Sequence, residues 1–143
     1  MIQQYNSMKR LFILATLILA MASCTEKLTE KAVDVYENGQ PSKVQYVNRK
    51  DECVREVEYY ESGLVKMEGA MKDGKRTGEW KSYFPDGKVQ STGFFENGLR
   101  TGKAQVYHEN GNLYMDGYYM EGHKTGEWIF YDEQGYETSR TTF

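Results

Sequence analysis

Five glycines, Gly39, Gly63, Gly87, Gly111 and Gly135, follow one another at intervals of 24 residues. Three further series keep the same period: Gly69, Gly93 and Gly117; Gly74, Gly98 and Gly122; Gly78, Gly102 and Gly126. Self-similarity at a fixed period marks a repeat architecture, in which each unit buries its surface against its neighbours and not around a single centre. The units run 60–83, 84–107 and 108–131. A degenerate first unit, 36–59, keeps its opening glycine but carries Arg49-Lys50-Asp51-Glu52 where the others have a glycine turn, and residues 132–143 form a C-terminal cap.

The glycines also predict the local fold. Asn38-Gly39, Asp86-Gly87 and Asn110-Gly111 read as two-residue type I′ hairpin turns, which require positive φ at both central positions. The second connection of each unit, as in Asp73-Gly74-Lys75-Arg76-Thr77-Gly78, reads as a longer polar loop. The expected fold is therefore all-β: an elongated antiparallel meander of ten short strands in a single layer. Frequent tyrosine (12) and scarce proline (2) suit a sheet.

Side chains alternate across a strand, so the turn assignment sorts residues into two faces. One carries Trp80, Ser82, Phe84, Val89, Ser91 and Gly93, with Trp80 expected to cover Gly93; in the next unit it carries Ala104, Val106, His108, Leu113, Met115 and Gly117. The other carries Tyr83, Gln90, Lys81, Thr92, Glu79 and Phe94, then Tyr107, Tyr114, Gln105, Asp116, Lys103 and Tyr118. A single layer leaves the first face open around Trp80, Phe84, Phe95, Trp128 and Phe130. Such a sheet is expected to curl, to meet a partner or to form a homodimer through that face.

The N-terminus reads as an address. Lys9 and Arg10 precede an apolar run from Leu11 to Met21, the length of a signal-peptide core and too short to span a bilayer. The run closes on Leu19-Ala20-Met21-Ala22-Ser23-Cys24, which resembles the bacterial lipobox. That resemblance implies a signal peptide over 1–23, a lipid on Cys24, a short tether to residue 35, and a protein anchored in the bacterial envelope (the outer membrane in a Gram-negative cell). Buried acyl chains contribute about 0.8 kcal/mol per methylene, so several hold a protein on a membrane. Without the signal peptide the chain has 16 basic and 21 acidic residues and no basic stripe, which argues against nucleic acid. With Cys24 lipidated, Cys53 has no disulfide partner.

The residues Gly63, Gly69, Gly74, Gly78, Glu79, Trp80 and Tyr83, repeated as Gly111, Gly117, Gly122, Gly126, Glu127, Trp128 and Tyr131, resemble the MORN-repeat variant family of bacteria. The middle unit departs from it, with Lys103-Ala104 in place of Glu-Trp. The resemblance implies an elongated sheet of stacked hairpins and an association with the YwqK-like antitoxin group.

Nothing in the pattern points to catalysis. His108 stands where Tyr60 and Phe84 stand in other units, and His123 where Lys75 and Leu99 stand. No cysteine–histidine cluster has zinc spacing. Gly74-Lys75-Arg76-Thr77-Gly78 lacks the spacing and the helix of a phosphate loop. No metal or cofactor is expected. The function expected is a non-catalytic envelope module that binds or scaffolds a protein, its face formed by Tyr83, Tyr107, Tyr114, Tyr118 and Tyr131. The alternatives are an antitoxin-like neutralising partner of a toxin and a carbohydrate-binding module.

Overall fold

The computed structural model describes residues 27–143, so the segment expected to be a signal peptide, and Cys24, lie outside the described residues. Ten strands follow in chain order: β1 (Thr29–Val35), β2 (Pro41–Val47), β3 (Cys53–Tyr59), β4 (Val65–Lys72), β5 (Lys75–Tyr83), β6 (Val89–Glu96), β7 (Leu99–Tyr107), β8 (Leu113–Met120), β9 (His123–Tyr131) and β10 (Glu137–Thr142). They form one antiparallel sheet in sequence order. β1 occupies most of the segment expected to be a tether. Its seven residues are all exposed, and Glu30, Lys31 and Asp34 place charge on the sheet edge.

The two kinds of turn are the reverse of the expected ones. At Gly87 only the glycine has positive φ (85°). Gly87 N–H donates to Phe84 O (2.8 Å) and Phe84 N–H to Lys88 O (2.8 Å). This is a three-residue loop, a type I turn closed by a left-handed glycine, and Pro85 suits its first corner. Gly39, Gly63, Gly111 and Gly135 close loops with the same bonds. The type I′ turns lie at the other edge, at Asp73-Gly74, Asn97-Gly98 and Glu121-Gly122. There both residues have positive φ (51° and 86° in the middle one), and Lys72, Glu96 and Met120 pair with Lys75, Leu99 and His123.

The three-residue loops have a consequence for the faces. Ser82 pairs with Ser91 and Trp80 with Gly93, as the sequence predicts, but Tyr83 pairs with Val89 and not Phe84. Gln90 is the extra residue of a β-bulge, and its side chain turns to meet Ser82 Oγ (3.3 Å). The same irregularity makes Tyr114 the extra residue between Leu113 and Met115. Val89 and Leu113 thereby join the face of Tyr83 and Tyr107, while Gln90 and Tyr114 move to the face of Trp80 and Trp128. The two sides are called the tyrosine face and the tryptophan face below.

On the tryptophan face burial is achieved without a second layer: Trp80 is 4% and Trp128 0% exposed. Trp80 lies over Gly69 on β4, not over Gly93 on β6, and Trp128 lies over Gly117; an added Cβ at either glycine falls closer than 3.0 Å to the indole. Long cations close the top. Arg76 sits 4.0 Å from the Trp80 ring, Arg100 lies between Phe95 (5.3 Å) and Tyr119 (5.4 Å), and Lys124 sits 4.4 Å from Trp128 and 5.1 Å from Phe143. Cation and aromatic ring attract through the ring quadrupole, and the aliphatic stems cover apolar surface. The two tryptophans are thus buried within one layer by its own side chains.

Candidate interaction surface

The tyrosines named from the sequence divide into three groups. Tyr83, Tyr107 and Tyr131 end β5, β7 and β9 on the tyrosine face, half-buried, and recur every second strand, about 9.6 Å apart at ordinary strand spacing. Tyr59 extends this row onto β3; its place 24 residues before Tyr83 was legible in the period but hidden by the degenerate first unit. Tyr118 shares the face but sits toward the opposite edge, 51% exposed, paired with Lys103 and Thr125. Tyr114 is on the other face, edge-on to His108 (5.0 Å) and Phe130 (6.0 Å).

The row of strand-end tyrosines is held by its own sheet. Tyr83 O–H donates to Glu68 Oε1 (2.7 Å), and Glu68 also pairs with Arg55. Burial and the Glu68 carboxylate push the Tyr83 hydroxyl up to about 12. The Tyr83 hydroxyl bond, and then Arg55, hold Glu68 below the usual carboxylate range. Burial and a hydrogen bond with Tyr46 push Tyr59 to about 12 as well. Tyr107 donates to Gln105 Oε1 (3.3 Å).

A second set of side chains fastens successive units. Tyr36 donates to Tyr59 O and Tyr60 to Tyr83 O, both at 2.7 Å. His108 takes the same role with Nε2 2.9 Å from Tyr131 O. A backbone carbonyl only accepts, so the bond selects the Nε2–H tautomer. His108 is thus a joint between units, and His123 begins β9 beside the type I′ turn. Among the described residues no group of three or more His, Cys, Asp or Glu is placed to hold a metal.

Around Tyr118, which was named from the sequence, lies a cluster of apolar side chains that was not, on the tyrosine face near the type I′ turns. Phe94 (41% exposed), Leu99 (52%), Tyr118 (51%) and Met120 (60%) project from three adjacent strands, β6 to β8. Their geometry follows from the glycines. Gly102 and Gly126, each at positive φ, open two-residue bulges on β7 and β9, so that on that side Phe94 and Tyr118 pair with the short Thr101 and Thr125. Beside Phe94, over β4, a hollow of about 300 Å³ is lined by Val54, Arg55, Glu68, Ala70, Glu79 and Lys81.

The arrangement offers ring faces and apolar chains beside paired charges, which is contact chemistry. No curated protein matches the chain. Residues 76–97 and 100–120, the hairpins β5–β6 and β7–β8, each match the family described as MORN repeat variant. Repeats of this kind are in general non-enzymatic modules for contact with proteins or membranes. The similarity to the MORN repeat variant family thus covers two consecutive hairpins, from β5 to β8.

Proposed function

We propose that this chain is an envelope-anchored docking module that binds another protein through its tyrosine face. The observation that carries the reading is the exposed quartet Phe94, Leu99, Tyr118 and Met120. Aromatic residues and methionine are enriched where proteins meet, and a contiguous apolar patch on a soluble surface marks an interaction site. On the tryptophan face the rings of Trp80, Phe95, Tyr119 and Trp128 are already capped by Arg76, Arg100 and Lys124, while Tyr114 is left 41% exposed.

The experiment places a photo-crosslinking phenylalanine analogue at Phe94 or Tyr118, and, as controls, at Ser91 or Val106 on the tryptophan face, in cells that make the protein. A discrete adduct with one protein from the tyrosine face alone is expected. No adduct, or the same adducts from both faces, overturns the reading. The antitoxin-like role is the special case in which the adduct is a growth-inhibiting protein that this chain relieves; saturable glycan binding without any protein adduct replaces docking with the carbohydrate reading.

Anchoring is tested separately. A clickable fatty acid should label the wild-type protein in the membrane fraction, and Cys24→Ser should lose both label and membrane association. A labelled serine variant removes Cys24 from the proposal.

A further inference from the structure

The position of Phe94 recurs in every unit. Tyr46, Ala70, Phe94 and Tyr118 are 24 residues apart on β2, β4, β6 and β8. All four lie on the tyrosine face, as their pairing shows: Tyr46 and Ala70 both face Arg55, while Phe94 faces Glu79 and Tyr118 faces Lys103. The column is therefore aromatic at three places and carries a methyl group at the fourth. The local frame at Ala70 is the same as at its neighbours. Ala70 pairs with Thr77 as Phe94 does with Thr101 and Tyr118 with Thr125, each across a two-residue bulge opened by a glycine. The 300 Å³ hollow lies over this one position.

We propose that the Ala70 hollow is a socket for an aromatic side chain of the docked protein, a tyrosine or phenylalanine completing the column between Tyr46 and Phe94. The proposal rests on the docking reading above and names the chemistry of its contact. Size permits it, since a cavity of about 150 Å³ holds a benzene ring. The walls suit a ring more than an aliphatic chain. Arg55 already lies 5.1 Å from the Tyr46 ring centroid, and its side chain is 48% exposed. A ring over Ala70 places that guanidinium between two aromatic faces, an arrangement a branched aliphatic group cannot reproduce. Opposite, Lys81 pairs with Glu79 (3.1 Å) and is 40% exposed, so a second cation borders the guest ring. The Tyr83–Glu68–Arg55 bonds hold the wall in place before any partner arrives, which lowers the ordering cost of binding.

The test needs no partner. The full chain, isotopically labelled, is titrated by NMR with N-acetyl-tyrosinamide, N-acetyl-leucinamide and a simple hexose. The tyrosine amide should give saturable shifts at Arg55, Ala70 and Lys81, with Kd on the order of 1 mM for one side chain. Ala70→Phe fills the socket from within, as the sequence does at Phe94, and should weaken the amide about tenfold or more while its melting temperature stays at or above wild type. Arg55→Gln should weaken it several-fold. Should Ala70→Phe fail to fold, Ala70→Val fills part of the space and should weaken the amide measurably. No saturable shift, an equal response to the leucine amide, a response to the hexose alone, or undiminished binding in a folded Ala70→Phe overturns the socket. Crosslinks from Phe94 without amide binding overturn the socket and leave docking standing; amide binding at Ala70 without crosslinks overturns docking, and with it a protein as the source of the ring, while the aromatic site itself stands.

Discussion

The first unit and the later repeats share one sheet and one register, yet they bury opposite faces. In β4–β5 and β8–β9 the buried side chains are tryptophans lying on glycines, Trp80 on Gly69 and Trp128 on Gly117. In β2–β3 the same register positions hold Gln45 and Glu56. Glu56 is buried there and polar, bonded to Gln45 (2.9 Å) and paired with Lys43 (3.4 Å). The apolar burial has moved through the sheet to Val44 (2% exposed) and Val57 (1%) on the tyrosine face, where the later units carry Glu68 and Lys81 or Asp116 and Ile129. The middle unit is intermediate: Ala104 replaces the tryptophan and leaves Gly93 under the Arg100 guanidinium. A single-layer sheet thus needs one dry side at each place along its length, and either side serves.

The largest effect should come from the fully buried indole. Trp128→Ala removes a ring packed edge-on against Tyr119 (5.0 Å) and Phe143 (6.2 Å), and should cost about 3–5 kcal/mol in denaturant unfolding. A loss below about 0.5 kcal/mol breaks the comparison, since that is the scale of a surface site.

Three glycines in one register sharpen it. Gly69→Ala and Gly117→Ala drive a methyl into an indole and should each cost about 1–3 kcal/mol. Gly93→Ala meets nothing nearer than Arg100 Nη1 at 3.6 Å, and should be neutral or stabilising by about 0.5 kcal/mol through the unfolded chain. Equal losses at all three would mean that the glycines answer to the backbone and not to the tryptophans. The reversed burial makes a smaller prediction. Val57→Ala should cost about 2 kcal/mol, whereas Lys81→Ala and Gln105→Ala, one and two periods later, should stay within about 0.5 kcal/mol.

These distinctions were only partly legible in the residues. The strand count and the pairing of Trp80 with Gly93 follow from the glycine period, because positive φ and a missing side chain are local demands. The turn types were not separable, since both glycine series follow polar residues; what distinguishes Asp86-Gly87 from Asn97-Gly98 is Pro85, which suits the first corner of a type I turn. Once a three-residue loop replaces a two-residue one, a bulge must restore register, and that bulge carried Tyr114 to the tryptophan face. Which glycine lies beneath Trp80 depends on the direction of an indole, on which the period is silent. The aromatic column Tyr46, Phe94, Tyr118 and its gap at Ala70 stood in the sequence, but without a face assignment it had no meaning.

The smallest predicted effect tests what the two regions share, the row of strand-end tyrosines. Tyr59 belongs to the first unit and Tyr83 to the repeats, and both have hydroxyls raised to about 12, by burial together with Tyr46 in one case and Glu68 in the other. A folded-state value above the unfolded one, about 10, means that the fold favours the protonated hydroxyl. Its contribution is complete below pH about 10 and is lost as pH rises toward 12, because the unfolded chain ionises first. Melting temperature should therefore fall across that window. Tyr83→Phe should make the fall shallower without abolishing it, since Tyr59 remains. The acid side reads the same bond from its other end: Glu68 is held low, so its contribution is present above about pH 4.3 and fades as pH drops through its depressed value. Tyr83→Phe removes the larger of the two bonds that depress it, so in the variant that loss should be smaller. An unchanged acid and alkaline profile in Tyr83→Phe would show the Glu68–Tyr83 bond to be absent in solution, and with it one wall of the Ala70 socket.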